Sequence, residues 1–273
     1  MPRVRKPSSP RKKEDRHFVT AVARAMSVLE CFRSGDKTVG NHEIAKRCKL
    51  PKSTVSRLTH TLTRLNYLSY DEDDGRYSVG SAGLALASVM LGRLGVRQLA
   101  HPLMQELANF SKGVVALASR DRLSMIYLDV VRSDSMLTLT LEAGSRIPLA
   151  TTAAGRAHLA LATERERNEI FTRLCAKDEA AWPTLRTRLE RSIVEYQKSG
   201  TAVSFGDWQS DVNGIAVGIR VGKSRGPMTI NCGGPAFTMS RDFLLEEVRP
   251  RLIELARRIE TSLGQAAVTV ERL

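Results

Sequence analysis

The 273-residue chain carries 42 Lys and Arg against 29 Asp and Glu, a formal net charge of +13 that points toward polyanionic partners. Its 42% hydrophobic and 26% charged content excludes a disordered or collagen-like chain, and the length accommodates one large domain or two modest ones. The cysteines, Cys31, Cys48, Cys175 and Cys232, are too dispersed for a zinc knuckle and too few for a disulfide framework, which suits a reducing cytosol.

The most apolar run, Ala82 to Leu91, is about half as long as a membrane span, and the basic N-terminus leads into no signal-peptide core. No phosphate-binding Gly-rich loop, His-Glu-x-x-His or paired Cys-x-x-Cys occurs. His17, His42, His60, His101 and His158 are scattered singly and read as surface or capping residues. The sequence therefore predicts a cytoplasmic protein that is not an enzyme, with no metal site, no cofactor and no membrane partner.

Residues 1–16 hold seven basic and two acidic side chains among prolines and serines, the composition of a disordered basic arm that binds DNA nonspecifically or simply aids solubility. In residues 17–81 the apolar spacing of Val22, Ala25, Met26, Leu29 and Phe32 predicts a helix from Ala21 to Phe32 with Thr20 as cap. A second short helix runs from Asn41, its expected cap, to Cys48, burying Ile44, Ala45 and Cys48. Pro51 then opens a third helix to about Leu65, with Val55, Leu58, Leu62 and Leu65 inward.

The opposite face of that third helix holds Lys52, Ser53, Ser56, Arg57, Thr59, His60 and Arg64, donors and small hydroxyls suited to a major groove. Two strands around Tyr67–Tyr70 and Arg76–Val79, joined by an acidic turn at Asp71–Gly75, form a wing whose tip phosphate would repel, leaving Arg76 to make the contact. A three-helix structural module would show the same periodicity. On the helix-turn-helix reading, Lys52, Ser53, Thr54, Ser56, Arg57, His60 and Arg76 meet double-stranded DNA.

Ala82–Leu94 and Val96–Phe110 read as helices broken at Gly95, the second burying Leu99, Leu103, Leu107 and Phe110. Strands are expected at Gly113–Ser119, Leu123–Val130 and Met136–Glu142, helices at Ala154–Leu161, Glu164–Cys175 and Leu185–Lys198. Further strands fall near Ala202–Phe205, Ile215–Val221 and Met228–Cys232, before a last helix from Arg241 to Leu263. Strands in two clusters split by helices give an α+β domain with a mainly antiparallel sheet. Between Ile147 and Arg156, Thr152 can cap a helix whose free N–H groups would hold a carboxylate, although a plain capped helix packed on the sheet reads equally well.

The runs Leu50-Pro51-Lys52-Ser53-Thr54-Val55-Ser56-Arg57-Leu58, Asn66-Tyr67-Leu68 and Gly75-Arg76-Tyr77-Ser78-Val79-Gly80 resemble the signature of the IclR family of bacterial transcriptional regulators. Pro148 with Ala154-Gly155-Arg156-Ala157, Gly214-Ile215-Ala216-Val217, Gly233-Gly234-Pro235 and Leu263-Gly264 follow in order, so the resemblance spans about residues 18–264. It implies a winged helix-turn-helix at 17–81, a linker helix at 82–95 that helps pair subunits, a GAF-like effector-binding domain at 96–265 and a tail at 266–273, assembled as a homodimer or homotetramer.

It also implies a small-molecule pocket at Thr152, Ala153, Ala154, Gly155, Asp207, Gly214, Asn231 and Gly233, taking a small organic acid that modulates promoter affinity. The family carries small polar side chains such as Cys and Ser at the positions of Gly214, Asn231 and Gly233. Two glycines there imply a roomier, less polar pocket and favour an aromatic or medium-length acid. Arg156, in place of the more usual Lys, should matter little. The alternatives are a constitutive DNA-binding protein with a purely oligomerising C-terminal domain and a small-molecule enzyme, for which Asp207 has no evident His, Cys or Lys partner.

Overall fold

The computed structural model describes residues 17–33, 35–92, 95–133, 141–221 and 226–270. The basic arm and most of the strand expected at Met136–Glu142 lie outside them, and Leu141 and Glu142, which are described, are not in a strand. The chain divides into two compact units, Met1–Ser88 and Val89–Leu273.

In the first unit α1 (Thr20–Glu30) is followed by a two-residue strand β1 (Val39–Gly40), α2 (Asn41–Cys48), α3 (Lys52–Arg64), β2 (Leu68–Asp71) and β3 (Arg76–Val79). Its core is Val28, Val39, Ile44, Ala45, Val55, Leu62 and Leu68. The face of α1 differs from the expected one. Ala25, Val28, Leu29 and Phe32 turn inward, while Val22 and Met26 are 59% and 48% exposed and continue an apolar stripe with Phe18 and Val19. Thr20 lies inside the helix rather than capping it, and the cap position is Val19, without a side-chain hydrogen bond.

On α3, Thr59 is fully buried and returns its hydroxyl to the Val55 carbonyl at 3.0 Å, whereas Leu65 is 57% exposed. Thr59 therefore belongs to the core and not to the groove-facing surface. Asn41 is the first residue of α2, with Gly40 at the cap position. The turn between α2 and α3 is made by Lys49 in the left-handed region (φ 56°), with Leu50 N–H closing on the Ala45 carbonyl at 3.1 Å. Arg47 braces it, donating to the Cys31 carbonyl at 3.1 Å, to Glu43 at 2.9 Å and to Asp36. These bonds hold both carboxylates below their usual range.

The small sheet has the order β1-β3-β2, with Val39 opposite Tyr77 and Gly40 opposite Arg76. After the wing, α4 (Ser81–Gly92) carries the chain across the division between the units.

The second unit packs helices on both faces of a six-stranded sheet whose pairings are all antiparallel, in the order β6-β5-β4-β9-β8-β7. Its elements are α5 (Gly95–Ser111), β4 (Val114–Asp121), β5 (Ser124–Arg132), β6 (Arg146–Pro148), α6 (Ala153–Leu161), α7 (Glu164–Lys177), α8 (Trp182–Ser199), β7 (Ala202–Phe205), β8 (Val212–Ile219) and β9 (Met228–Pro235). A π-helical stretch, Phe243–Val248, then leads into α9 (Arg249–Val270), which contains the described part of the expected tail.

Strand alternation sorts the core into two layers. Val115 and Leu117 of β4 join α5 and α9, while Ala116 and Ala118 join α6, α7 and α8. On α5 the buried stripe is Val96, Ala100, Met104, Leu107, Ala108 and Ser111, and the expected members Leu99 and Phe110 are 36% and 38% exposed. Small residues bring that helix close to the sheet, and the larger ones flank the contact.

Gly80 closes the wing onto the end of α3, its N–H on the Tyr67 carbonyl at 2.9 Å, and a Cβ there would lie 2.2 Å from the Asn66 carbonyl oxygen. Gly80→Ala should cost about 1 to 3 kcal/mol in urea unfolding, as overpacking against backbone does. Gly83→Ala, one helical turn on with only an ordinary 3.5 Å neighbour, should gain up to about 1 kcal/mol. Equal effects from the two would remove the steric argument.

Candidate functional site

The helix-turn-helix presents Lys52, Ser53, Ser56, Arg57 and His60 on its exposed face, with Thr54 half-buried at the edge. Two of the expected contacts are occupied within the protein. The Ser56 hydroxyl accepts from the Asn41 amide at 2.6 Å and donates to the Lys52 carbonyl at 3.1 Å, so it ties α2 to α3. The Arg76 guanidinium holds the Thr38 hydroxyl and carbonyl, both at 2.9 Å, so it fixes β1 against the wing. Arg57 and His60 have no such partner among the described residues.

The second unit contains a small cavity of about 40 Å³ at the N-terminus of α6. Six of the eight expected residues line it: Thr152, Ala153, Ala154, Gly214, Asn231 and Gly233. The other two do not. Gly155 packs its α-carbon against the Leu149 carbonyl, where a Cβ would lie 1.9 Å from the oxygen, and gives its N–H to the Thr152 hydroxyl at 3.3 Å. Asp207 pairs at 2.8 Å with Arg156, which also holds the Val203 carbonyl at 2.8 Å. Arg156 is buried and joins α6 to β7.

The helix end is built as expected in one respect: Thr152 caps it, its hydroxyl also donating to the Pro148 carbonyl at 2.7 Å. The first intrahelical bond runs from Arg156 N–H to Thr152 at 3.1 Å, which leaves the Ala153 and Ala154 N–H groups ahead of the ladder. Both glycines line the cavity and face each other across β8 and β9. A Cβ at Gly233 would lie 2.8 Å from the Asn213 carbonyl oxygen, so glycine there also serves the close approach of two strands, whereas a Cβ at Gly214 would meet only an ordinary 3.5 Å neighbour.

Further lining comes from Tyr127, Ile147, Ser204, Trp208, Val212 and Asn213, none of which carries a local sequence signal. The Asn231 amide donates to the Tyr127 hydroxyl at 3.1 Å, and burial pushes the tyrosine up to about 12, against the opposing effect of that bond. Asn231 Oδ1 is buried without a partner, and the Tyr127 proton is left to donate. Among the described residues no Lys, Arg or His lines the cavity, so an anion there would rest on backbone N–H groups.

His158 is fully enclosed rather than a surface residue, between the Pro227 carbonyl and Glu166, both at 3.1 Å, and burial lowers its pKa. A larger groove of about 470 Å³ lies between α5 and α9, where Arg251 sits 3.8 Å from the Phe110 ring centre. It is an open channel flanked by Glu106, Glu254 and Arg258. No helix among the described residues is long and apolar enough to cross a membrane.

Residues 21–72 match the IclR helix-turn-helix domain model, and residues 88–261 match that of the bacterial transcriptional regulator IclR C-terminal domain. The chain is 31% identical over 251 residues to the HTH-type transcriptional regulator TsaQ1/TsaQ2 of Comamonas testosteroni, covering 91% of this chain and 90% of that one. Among solved structures, an IclR family transcriptional regulator from Brucella abortus superposes with a TM-score of 0.79 at 44% identity, covering 93% and 96% of the two chains. An IclR homolog from Microbacterium hydrocarbonoxydans, complexed with 4-hydroxybenzoate, shares the fold with a TM-score of 0.71 at 23% identity over 90% and 99%. With a helix-turn-helix at one end, a six-stranded antiparallel sheet at the other and both family models matched in order, the chain belongs to the IclR family of bacterial transcriptional regulators, and is a DNA-binding regulator rather than an enzyme.

Proposed function

We propose that this regulator changes its promoter affinity when a small aromatic acid occupies the cavity at the start of α6. The observation that carries this reading is the pairing of two helix-end N–H groups with a buried, unpartnered Asn231 oxygen among the residues of one small cavity. A carboxylate would take the Ala153 and Ala154 N–H groups, and a hydroxyl at the far end of the ring would donate to Asn231 Oδ1. The homolog that holds 4-hydroxybenzoate supports an acid of that shape. The cavity of about 40 Å³ is far below the roughly 300 Å³ of a small-ligand pocket. The acid therefore binds a more open conformation than the one described, and that unequal affinity is what coupling to DNA requires.

On the DNA side, residues 17–81 serve as the reading head, α4 as the linker, and residues 96–265 as the sensing domain. Arg57 reads base edges, Lys52 holds phosphate, and the arm from Arg3 to Arg16 adds sequence-independent attraction. The exposed apolar stripe of Phe18, Val19, Val22 and Met26 supports pairing of two chains, as a two-fold symmetric operator demands, and a cytoplasmic location follows from the DNA target.

DNA fragments recovered with the purified protein supply the operator for testing. Arg57→Ala should erase about 1 to 3 kcal/mol of discrimination between that operator and a version mutated in one half-site, whereas Lys52→Ala should weaken both alike. Equal losses on both sequences for Arg57→Ala would remove it from base readout.

Ala154, at 1% exposure, cannot be enlarged without disturbing the core, so the cavity is better tested at Asn231. Asn231→Leu keeps the branched skeleton of the side chain and removes the acceptor. It should weaken 4-hydroxybenzoate binding roughly 5- to 30-fold by calorimetry, with DNA affinity in the absence of acid unchanged. Unaltered binding of the acid would place its site elsewhere.

A further inference from the structure

The end of α8, strand β7 and the start of α9 line a groove of about 340 Å³, above the roughly 300 Å³ from which small-ligand pockets start. Strand alternation separates it from the cavity at α6: Val203 and Phe205 of β7 face the groove, whereas Ser204 between them lines the cavity. Val203, Phe205 and Leu245 give the groove an apolar floor, and Lys198 and Arg249 bring two cations to it. Among the described residues neither cation has an ion-pair partner. In the larger groove between α5 and α9, by contrast, Arg251 pairs with Glu247 and Arg258 with Glu106.

Two polar atoms of the lining are also enclosed without a partner, the Nε of Arg249 and the hydroxyl of Thr201, a residue only 3% exposed. Buried donors in folded proteins are nearly always paired, so two of them at one groove mark a lining that an occupant completes. The backbone holds Thr201 in place there. Its carbonyl accepts from the Ser199 hydroxyl at 3.0 Å, and its N–H donates to the same oxygen at 3.3 Å.

We propose that this groove is a second ligand site, which takes a monocarboxylate with an apolar body. The carboxylate accepts from the Arg249 guanidinium and the Lys198 ammonium, with the Thr201 hydroxyl as a further donor, and the body lies on Val203, Phe205 and Leu245. The lining includes one carboxylate, Glu195, so its charged groups sum to a single positive charge, which suits a monoanion better than a phosphate dianion. The occupant touches β7, whose Val203 carbonyl also holds Arg156 of α6 at 2.8 Å. The two sites thus share a strand and take their ligands on its opposite faces.

Calorimetric titration of the full-length protein with sodium octanoate tests the proposal, with 1-octanol as the uncharged probe of the same chain length. Octanoate should bind once per chain, and octanol roughly tenfold or more weakly, because the charge-assisted hydrogen bonds are gone. Arg249→Gln should weaken octanoate at least about tenfold and Lys198→Gln by a smaller factor, while both variants bind octanol as the parent does. Circular dichroism checks that Arg249→Gln stays folded, and if it does not, the exposed Lys198 makes Lys198→Gln the deciding variant. No octanoate binding, octanol binding as tightly as octanoate, or octanoate binding unchanged in the deciding variant overturns the proposal. An acid seated in the α6 cavity would be indifferent to both substitutions, so failure of this site and failure of that one are told apart.

Discussion

The C-terminal unit depends on one close approach, that of the α6 backbone to the residues just before it. Gly155 sits so near the Leu149 carbonyl that no side chain fits, and Thr152 caps the helix within the same loop. Ala153 and Ala157 continue the contact onto Ala202 of β7 and Ala216 of β8. Arg156 fixes the helix to the Val203 carbonyl and to Asp207. A helix held on these sides cannot slide away from its partners, so on the proposed reading its two leading N–H groups are rigid donors that would cost little reorganisation on meeting an anion.

A rigid donor leaves the opposite wall to make room. That wall includes Trp208, in the turn that starts at Gly206 in the left-handed region (φ 73°) and returns to β8 through a 3.0 Å bond from Gly206 N–H to the Val212 carbonyl. On this account the turn moves as the acid enters, and the energy of its closed form sets the conformational cost of binding. The reading head has its own internal bracing in Arg47 and in the bond from Asn41 to Ser56, which makes it a second unit whose geometry can be altered separately.

What could be read from the residues was mostly local. Pro51, the amphipathic run after it and the acidic turn at Asp71 located the reading head, and Thr152 located the capped helix, because each acts within a few positions of itself. The faces of α1 and α5 were partly misjudged: Val28 of α1 was left out of the inward stripe, and on α5 the larger Leu99 and Phe110 were taken where Ala100, Ala108 and Ser111 seat the helix. Strands β1 and β6 have two and three residues, too short to show a period of two. The pairing of Asp207 with Arg156 was not legible because the two lie 51 residues apart, and Tyr127 was missed because an inward residue in mid-strand leaves no local mark. The glycines at 214 and 233 pointed to the cavity, and the one at 233 also admits the neighbouring strand, a contact that no local pattern shows.

Trp208 reports directly on the central claim, that an acid enters beside α6 by displacing the turn opposite. The chain has one other tryptophan, Trp182, packed edge-on against Phe171 at 5.3 Å, so Trp182→Phe leaves Trp208 as the sole emitter. Titrating that protein with 4-hydroxybenzoate should give a saturable change in Trp208 emission, with the same midpoint as the calorimetric binding curve. A calorimetric binding curve with no accompanying change at Trp208 would contradict the account.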